Sequence, residues 1–118
     1  MEISQIEAFV AIAQTGSFSC AATRLHLSQP AISRRITLLE QELGTMLFNR
    51  IHNATSLTQA GQAFLPHAQR ILADMRDGIQ AVQEIEQEVQ GAITLAIVET
   101  LAGTSLTYLT LKETKVTE

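Results

Sequence analysis

Apolar and polar positions along this chain repeat with a helical period for most of its length. Ile6, Phe9, Val10 and Ala13 recur at helical intervals up to the breaker Gly16, and Ser4 and Glu7 stand in the S-x-x-E spacing of a capping box that would open this helix. Ser17 offers the cap of a second, short helix with Phe18, Ala21, Ala22 and Leu25 inward, its two alanines allowing close approach of a neighbour. Ser28 offers a third cap, and Pro30 falls in the first turn that follows, where its missing N–H costs little. Ile32, Ile36, Leu39 and Leu43 then step along one face to Gly44, while Gln29, Ser33, Arg34 and Thr37 fall off that stripe. One side of the third helix is therefore predicted as core and the other as free polar surface.

From Leu47 to Leu57 the period breaks into two short apolar-flanked pieces around His52, Asn53, Ala54 and Thr55, which predicts a small hairpin. Thr58 caps a long segment in which Phe64, Ala68, Ile71, Leu72, Met75, Ile79, Val82, Ile85 and Val89 alternate by threes and fours. A helix over this stretch would span roughly 48 Å at ~1.5 Å per residue, too long for a small head to cover its stripe, so it calls for a partner helix. Pro66 lies early in it, and Pro66 and Gly78 are its candidate bend points. Gly91 is expected to close it. Ile93, Leu95 and Ile97 then alternate with Thr94 and Ala96 as a strand would, and 101–111 is weakly helical. One strand and one helix do not complete an α/β domain. The expected fold class is mainly α, with a head over 1–58, a linker helix over 59–90, and over 91–118 the truncated start of a further domain.

Composition refines this outline. Of 118 residues 46% are hydrophobic but only 4% aromatic, with no Trp, which predicts an aliphatic, helical core. The net charge of −4 is unevenly spread. Residues 1–65 balance four arginines against four glutamates; 66–90 set two arginines against five acids; 91–118 set two lysines against three glutamates. The head is thus neutral and the acidity lies beyond it. Cys20, the sole cysteine, has no disulfide partner and is expected as a buried, inert thiol. No leader pattern and no apolar run of about 18 residues is visible, which together with the cysteine usage predicts a cytoplasmic protein without a membrane partner. His26, His52 and His67 lack metal-ligand spacing, and no nucleophile–base pair or phosphate-cradling glycine loop is present. No metal, cofactor or enzymatic activity is expected.

Three short helices, the second and third joined tightly, followed by a hairpin, form the layout of a winged helix-turn-helix, whose third helix fits a DNA major groove while the hairpin reaches the adjacent minor groove. The runs IEAFVAIAQTGSFSCAATRLHLSQPAISRRITLLEQELGTMLFNR and SLTQAGQAFLPHAQRIL closely resemble the head of LysR-type transcriptional regulators, and GAITLAIVET resembles the opening strand of that family's effector domain. The resemblance covers about residues 1–90. It implies that Ser28, Gln29, Pro30, Ala31, Ser33, Arg34 and Thr37 form the DNA-facing side of the recognition helix, and that Arg50 of the wing approaches the minor groove or backbone. Chemistry agrees: Gln29 can bond an adenine edge twice, Ser33 can serve several bases, Pro30 and Ala31 can touch a thymine methyl, and Arg34 suits a guanine edge or a phosphate. Arg35 suits phosphate or an intramolecular contact, and Ser17 and Ser19 are placed for a phosphate at the start of the second helix. Ser28 has a capping role whether or not DNA is near.

The wing departs from the family pattern: past Arg50 and His52 it carries Asn53, Ala54, Thr55 and Ser56 where relatives commonly have several basic residues. The resemblance also implies a homodimer through Phe64, Ala68, Ile71, Leu72, Met75, Ile79, Val82, Ile85 and Val89 on an inverted-repeat operator, tetramers among full-length relatives, and a small-molecule effector sensed only in a full-length form. Thr100 matches a position lining the effector pocket and is expected to be idle without the other pocket walls. The alternative reading is a protein-interaction subunit that pairs with a full-length regulator and modulates it.

Overall fold

The computed structural model describes residues 1–51 and 54–102. Its elements are α1 (Ile3–Thr15), α2 (Phe18–Arg24), α3 (Gln29–Leu43), β1 (Phe48–Ile51), β2 (Ala54–Leu57) and α4 (Gln59–Ala102). The chain divides into two units, Met1–Arg76 and Asp77–Glu118.

Each helix of the first unit ends where local chemistry dictates. Gly16 and Gly44 close α1 and α3 in the left-handed conformation, with φ of 74° and 73°, which glycine adopts without a Cβ penalty. The Ser17 hydroxyl accepts the Cys20 N–H (3.1 Å) and the Ser28 hydroxyl the Ala31 N–H (3.2 Å), as expected of N-caps. The start of α1 differs from expectation. Its N-cap is Glu2, whose N–H donates to the side-chain Oε1 of Gln5 (3.3 Å), because the helix already begins at Ile3 and Ser4 falls inside its first turn. His26, in the turn between α2 and α3, holds φ at 57°.

Helix α1 packs on both α2 and α3, which also pack on each other. Ile12 is buried where the spacing put Ala13, which is half-buried; Ile6, Phe9, Val10, Ala21, Ala22, Ile32, Ile36 and Leu39 are buried as the periodicity predicts. Leu43 is not: it lies one residue before the terminating Gly44, with nothing left to cover it, and is 37% exposed. The core is mostly aliphatic, as expected, and an aromatic cluster sits within it. All four phenylalanines gather there, with ring centroids 5.4 Å apart for Phe9 and Phe48, 5.2 Å for Phe9 and Phe64, and 5.6 Å for Phe18 and Phe48, each such pair adding about 0.5–1.5 kcal/mol beyond area burial. Few aromatics suffice when all share one cluster. Cys20 is exposed, contrary to the expected buried thiol, since α2 turns Ala21 and Ala22 inward and the position before them faces out.

The hairpin pairs Phe48 with Leu57, Asn49 with Ser56, Arg50 with Thr55 and Ile51 with Ala54. Its second strand begins at Ala54, within the expected turn, while His52 and Asn53 lie outside the described residues. The hairpin is anchored at its base through the Leu47 peptide. The Leu47 N–H donates to Glu40 Oε2 (2.7 Å) and its carbonyl accepts the Thr58 N–H (2.9 Å). Thr58 Oγ1 in turn donates to the Met46 carbonyl (2.7 Å) and accepts the Gly61 N–H (3.0 Å), capping α4.

Within the first unit α4 contributes Phe64, Ala68 and Leu72 to the head's own core, Ala68 being fully buried. These three positions were expected to serve the dimer stripe; a head this small completes its core with the first turns of α4. In the second unit Ile79, Val82, Ile85 and Val89 are exposed. Helix α4 runs through Pro66, Gly78 and Gly91 to Ala102, which overturns the expected helix end at Gly91 and the strand over 93–97. A lone strand has no neighbour to satisfy its backbone groups, whereas a helix satisfies them internally. Of the expected weak helix over 101–111, residues from 103 onward lie outside the described residues.

Candidate nucleic-acid interface

The N-terminal turns of α3, the start of α2 and the hairpin enclose an open cleft of about 420 Å³, lined by Ser17, Phe18, Ser19, Gln29, Ser33, Arg50 and Thr55. Gln29 and Ser33 are four residues apart on α3 and so share one face. Arg50 and Thr55 are partners in the hairpin register. Arg50 lies two residues past the buried Phe48, so the pleat turns both to the same side of the strand. Its guanidinium lies 4.5 Å from the centroid of the Phe18 ring, and its Nη2 is 3.8 Å from Glu40 Oε1.

The other recognition-helix positions divide. Pro30 and Arg34 are exposed, Ala31 is half-buried, and Arg34 makes no polar contact among the described residues. Thr37 is exposed but lines a second, shallow depression with Glu40, Gln41 and Met46, its hydroxyl donating to the Ser33 carbonyl (2.9 Å). Arg35 is turned inward and donates to the Ser4 carbonyl (3.5 Å), tying α3 to α1, so the intramolecular role describes its contact here. Ser28 and Ser17 use their hydroxyl oxygens as caps; Ser19 is exposed on the cleft. Thr100 donates to the Ala96 carbonyl (2.9 Å) one turn earlier in α4, a helical setting rather than the strand end that the resemblance implied.

Glu40 and Phe18 were not among the expected site residues. A signal for Glu40 is present: it follows Ile36 by four, placing a carboxylate on the buried face, where it is only 7% exposed. An acid at such a position needs partners, and the Leu47 N–H and Arg50 supply them. No group of three or more His, Cys, Asp or Glu among the described residues could hold a metal ion, and no described helix is long and apolar enough to cross a membrane.

Residues 3–62 match the family described as bacterial regulatory helix-turn-helix protein, lysR family. An uncharacterised helix-turn-helix-type transcriptional regulator encoded in the ibpB-leuC intergenic region of Azotobacter vinelandii is 48% identical over 96 residues, covering 81% of this chain and 67% of that protein. The regulator CfxR of Cupriavidus necator is 40% identical over 103 residues, 85% of this chain but 32% of its own length. The chain thus spans about a third of CfxR and two thirds of the Azotobacter protein. Among solved structures, the DNA-binding domain of CbnR in complex with DNA is 43% identical with a TM-score of 0.65, covering 72% of this chain and 99% of that one. The BenM DNA-binding domain on benA site 1 DNA is 33% identical with a TM-score of 0.68 and the same coverage. Such relatives do not favour the reading as a modulating subunit. The chain belongs to the lysR family of bacterial regulatory helix-turn-helix proteins, and its fold is that of a LysR-type transcriptional regulator's DNA-binding head.

Proposed function

We propose that this chain reads a specific operator in double-stranded DNA, with α3 in the major groove and the hairpin beside the minor groove, and that it is not an enzyme. The observation that carries this reading is the cleft itself: the base-reading side chains Gln29 and Ser33 and the cation Arg50 share one open face with the capped start of α2. Arg34, exposed and uncommitted on the next turn, extends that face. Selection of bound duplexes from a random pool tests this. Recovery of an interrupted inverted repeat supports it, and recovery of no preferred sequence refutes it.

The chain acts as a homodimer through α4, in the cytoplasm. The support for dimerisation is the row Ile79, Val82, Ile85 and Val89, left exposed on α4, a larger apolar stripe than a lone soluble helix keeps in water. Phe64, Ala68 and Leu72 serve the head's core, and Ile71 and Met75 continue the stripe at its edge. Val82 and Ile85 are 66% and 62% exposed, so Val82→Glu with Ile85→Glu leaves the head's fold untouched and yields a monomer by sedimentation. A double variant that stayed dimeric would rule this stripe out.

A further inference from the structure

The wing carries a single arginine among the described residues, and that arginine is not free. Its guanidinium is held from two sides: the Phe18 ring beneath it at 4.5 Å and the Glu40 carboxylate at 3.8 Å. Glu40 belongs to the recognition helix and Phe18 opens α2, so three elements converge on one side chain. The Glu40 carboxylate is itself fixed, because Oε2 accepts the Leu47 N–H at 2.7 Å while Oε1 faces Arg50. An arginine on a two-stranded hairpin otherwise samples many rotamers, and that side-chain entropy is lost on contacting DNA. Here much of that ordering is present before DNA arrives.

We infer that Glu40 is a positioning residue for DNA recognition: it aims Arg50 into the cleft beside Gln29 and Ser33 and masks part of its charge. This rests on the reading of the cleft as the DNA interface. Masking has a specific consequence. An unpaired arginine attracts any phosphate, raising affinity for all sequences alike, whereas one clamped over the recognition helix engages only a duplex seated on that helix. Glu40 thus trades general attraction for registered contact.

The two functions of Glu40 separate chemically. In Glu40→Gln the amide oxygen still accepts the Leu47 N–H, keeping the hairpin base, while the ion pair with Arg50 is lost. The test measures affinity of the whole chain for a duplex selected from a random pool and for poly(dI-dC), each as a function of salt, for wild type, Glu40→Gln, Arg50→Ala and the double variant. The expected result for Glu40→Gln is helical content and melting close to wild type, a fall of about 3–10-fold in the ratio of selected to random affinity, and a salt slope on random DNA steeper by roughly 1 as Arg50 becomes free to pair with phosphate. In the Arg50→Ala background Glu40→Gln should change neither quantity further. A purely structural Glu40 would weaken both DNAs equally and would do so with or without Arg50; that result, or an unchanged ratio in the single variant, overturns the proposal. An Arg50→Ala variant that binds both DNAs as wild type does would instead overturn the reading of the cleft on which the proposal rests.

Discussion

Gly61, the third residue of α4, is buried, and a Cβ built on it would collide with the Leu47 carbonyl oxygen and lie 2.9 Å from Leu57 Cδ2. Gly61→Ala therefore sets helix propensity against sterics. Alanine gains about 1 kcal/mol over glycine inside a helix. Against this, the Leu47 peptide cannot step aside freely: its carbonyl accepts the Thr58 N–H at 2.9 Å and its N–H donates to Glu40 at 2.7 Å. Displacing it costs about 1–3 kcal/mol of packing strain and weakens two hydrogen bonds that contribute about 0.5–1.5 kcal/mol each. The net expectation is a loss of about 1–3 kcal/mol, read as a lower urea midpoint of the helical signal at an unchanged slope. Gly78 in the same helix is the internal control, since a Cβ there meets nothing within 4 Å. Gly78→Ala should raise helicity or stability by up to about 1 kcal/mol. If the two substitutions shifted stability in the same direction, the close approach of α4 to Leu47 would be wrong.

Further expectations concern the turn and the DNA-facing side chains. His26 holds φ at 57°, a region hostile to β-branched residues, so His26→Val should cost about 1–2 kcal/mol while His26→Asn stays within about 0.5 kcal/mol of wild type in thermal melts. Equal melting of the two would show that the left-handed turn is not enforced. Gln29→Ala and Arg34→Ala should each weaken a selected duplex by about 1–3 kcal/mol and random DNA much less; competition assays showing equal losses would assign both to phosphate. With Arg34 as the unpaired cation facing DNA in each head and Arg50 masked by Glu40, the log–log salt slope for random DNA should be about 1 per monomer in the wild type, and a slope of four or more would require phosphate contacts elsewhere.

Local chemistry made most of the head legible. Hydroxyls at 17, 28 and 58, the glycines at 16 and 44, and the three-and-four spacing of Ile32, Ile36 and Leu39 each act over a few residues, and the caps, stops and buried faces stand where those rules put them. The start of α1, capped at Glu2 rather than Ser4, was a local miss, but most of what escaped depended on distant partners. Glu40 reads as one more surface acid until Leu47 and Arg50 are folded against it. Phe64, Ala68 and Leu72 fit a dimer stripe by spacing, and only the size of the head determines that it claims them. In the site, Gln29, Ser33, Arg50, Ser17 and Ser19 converge on the cleft, whereas Arg35 and Thr37 do not: Arg35 is two residues past Ser33 and so turned to the opposite side of α3, and Thr37 shares the face of Ser33 but lies one turn further along it.

The helical course of α4 past Gly91 also bears on how such a segment encodes its shape. Val89, Ile93, Ile97 and Leu101 recur every fourth residue and all are exposed, and any four-residue recurrence is also a two-residue recurrence counted at alternate steps. The same letters therefore spell a helix stripe and one face of a strand. With local rhythm silent on the choice, the hydrogen-bonding company decides: beside an existing sheet edge the extended form has its partners supplied, and without one the chain supplies its own by coiling. This stretch is bilingual, and its neighbours determine which language is spoken.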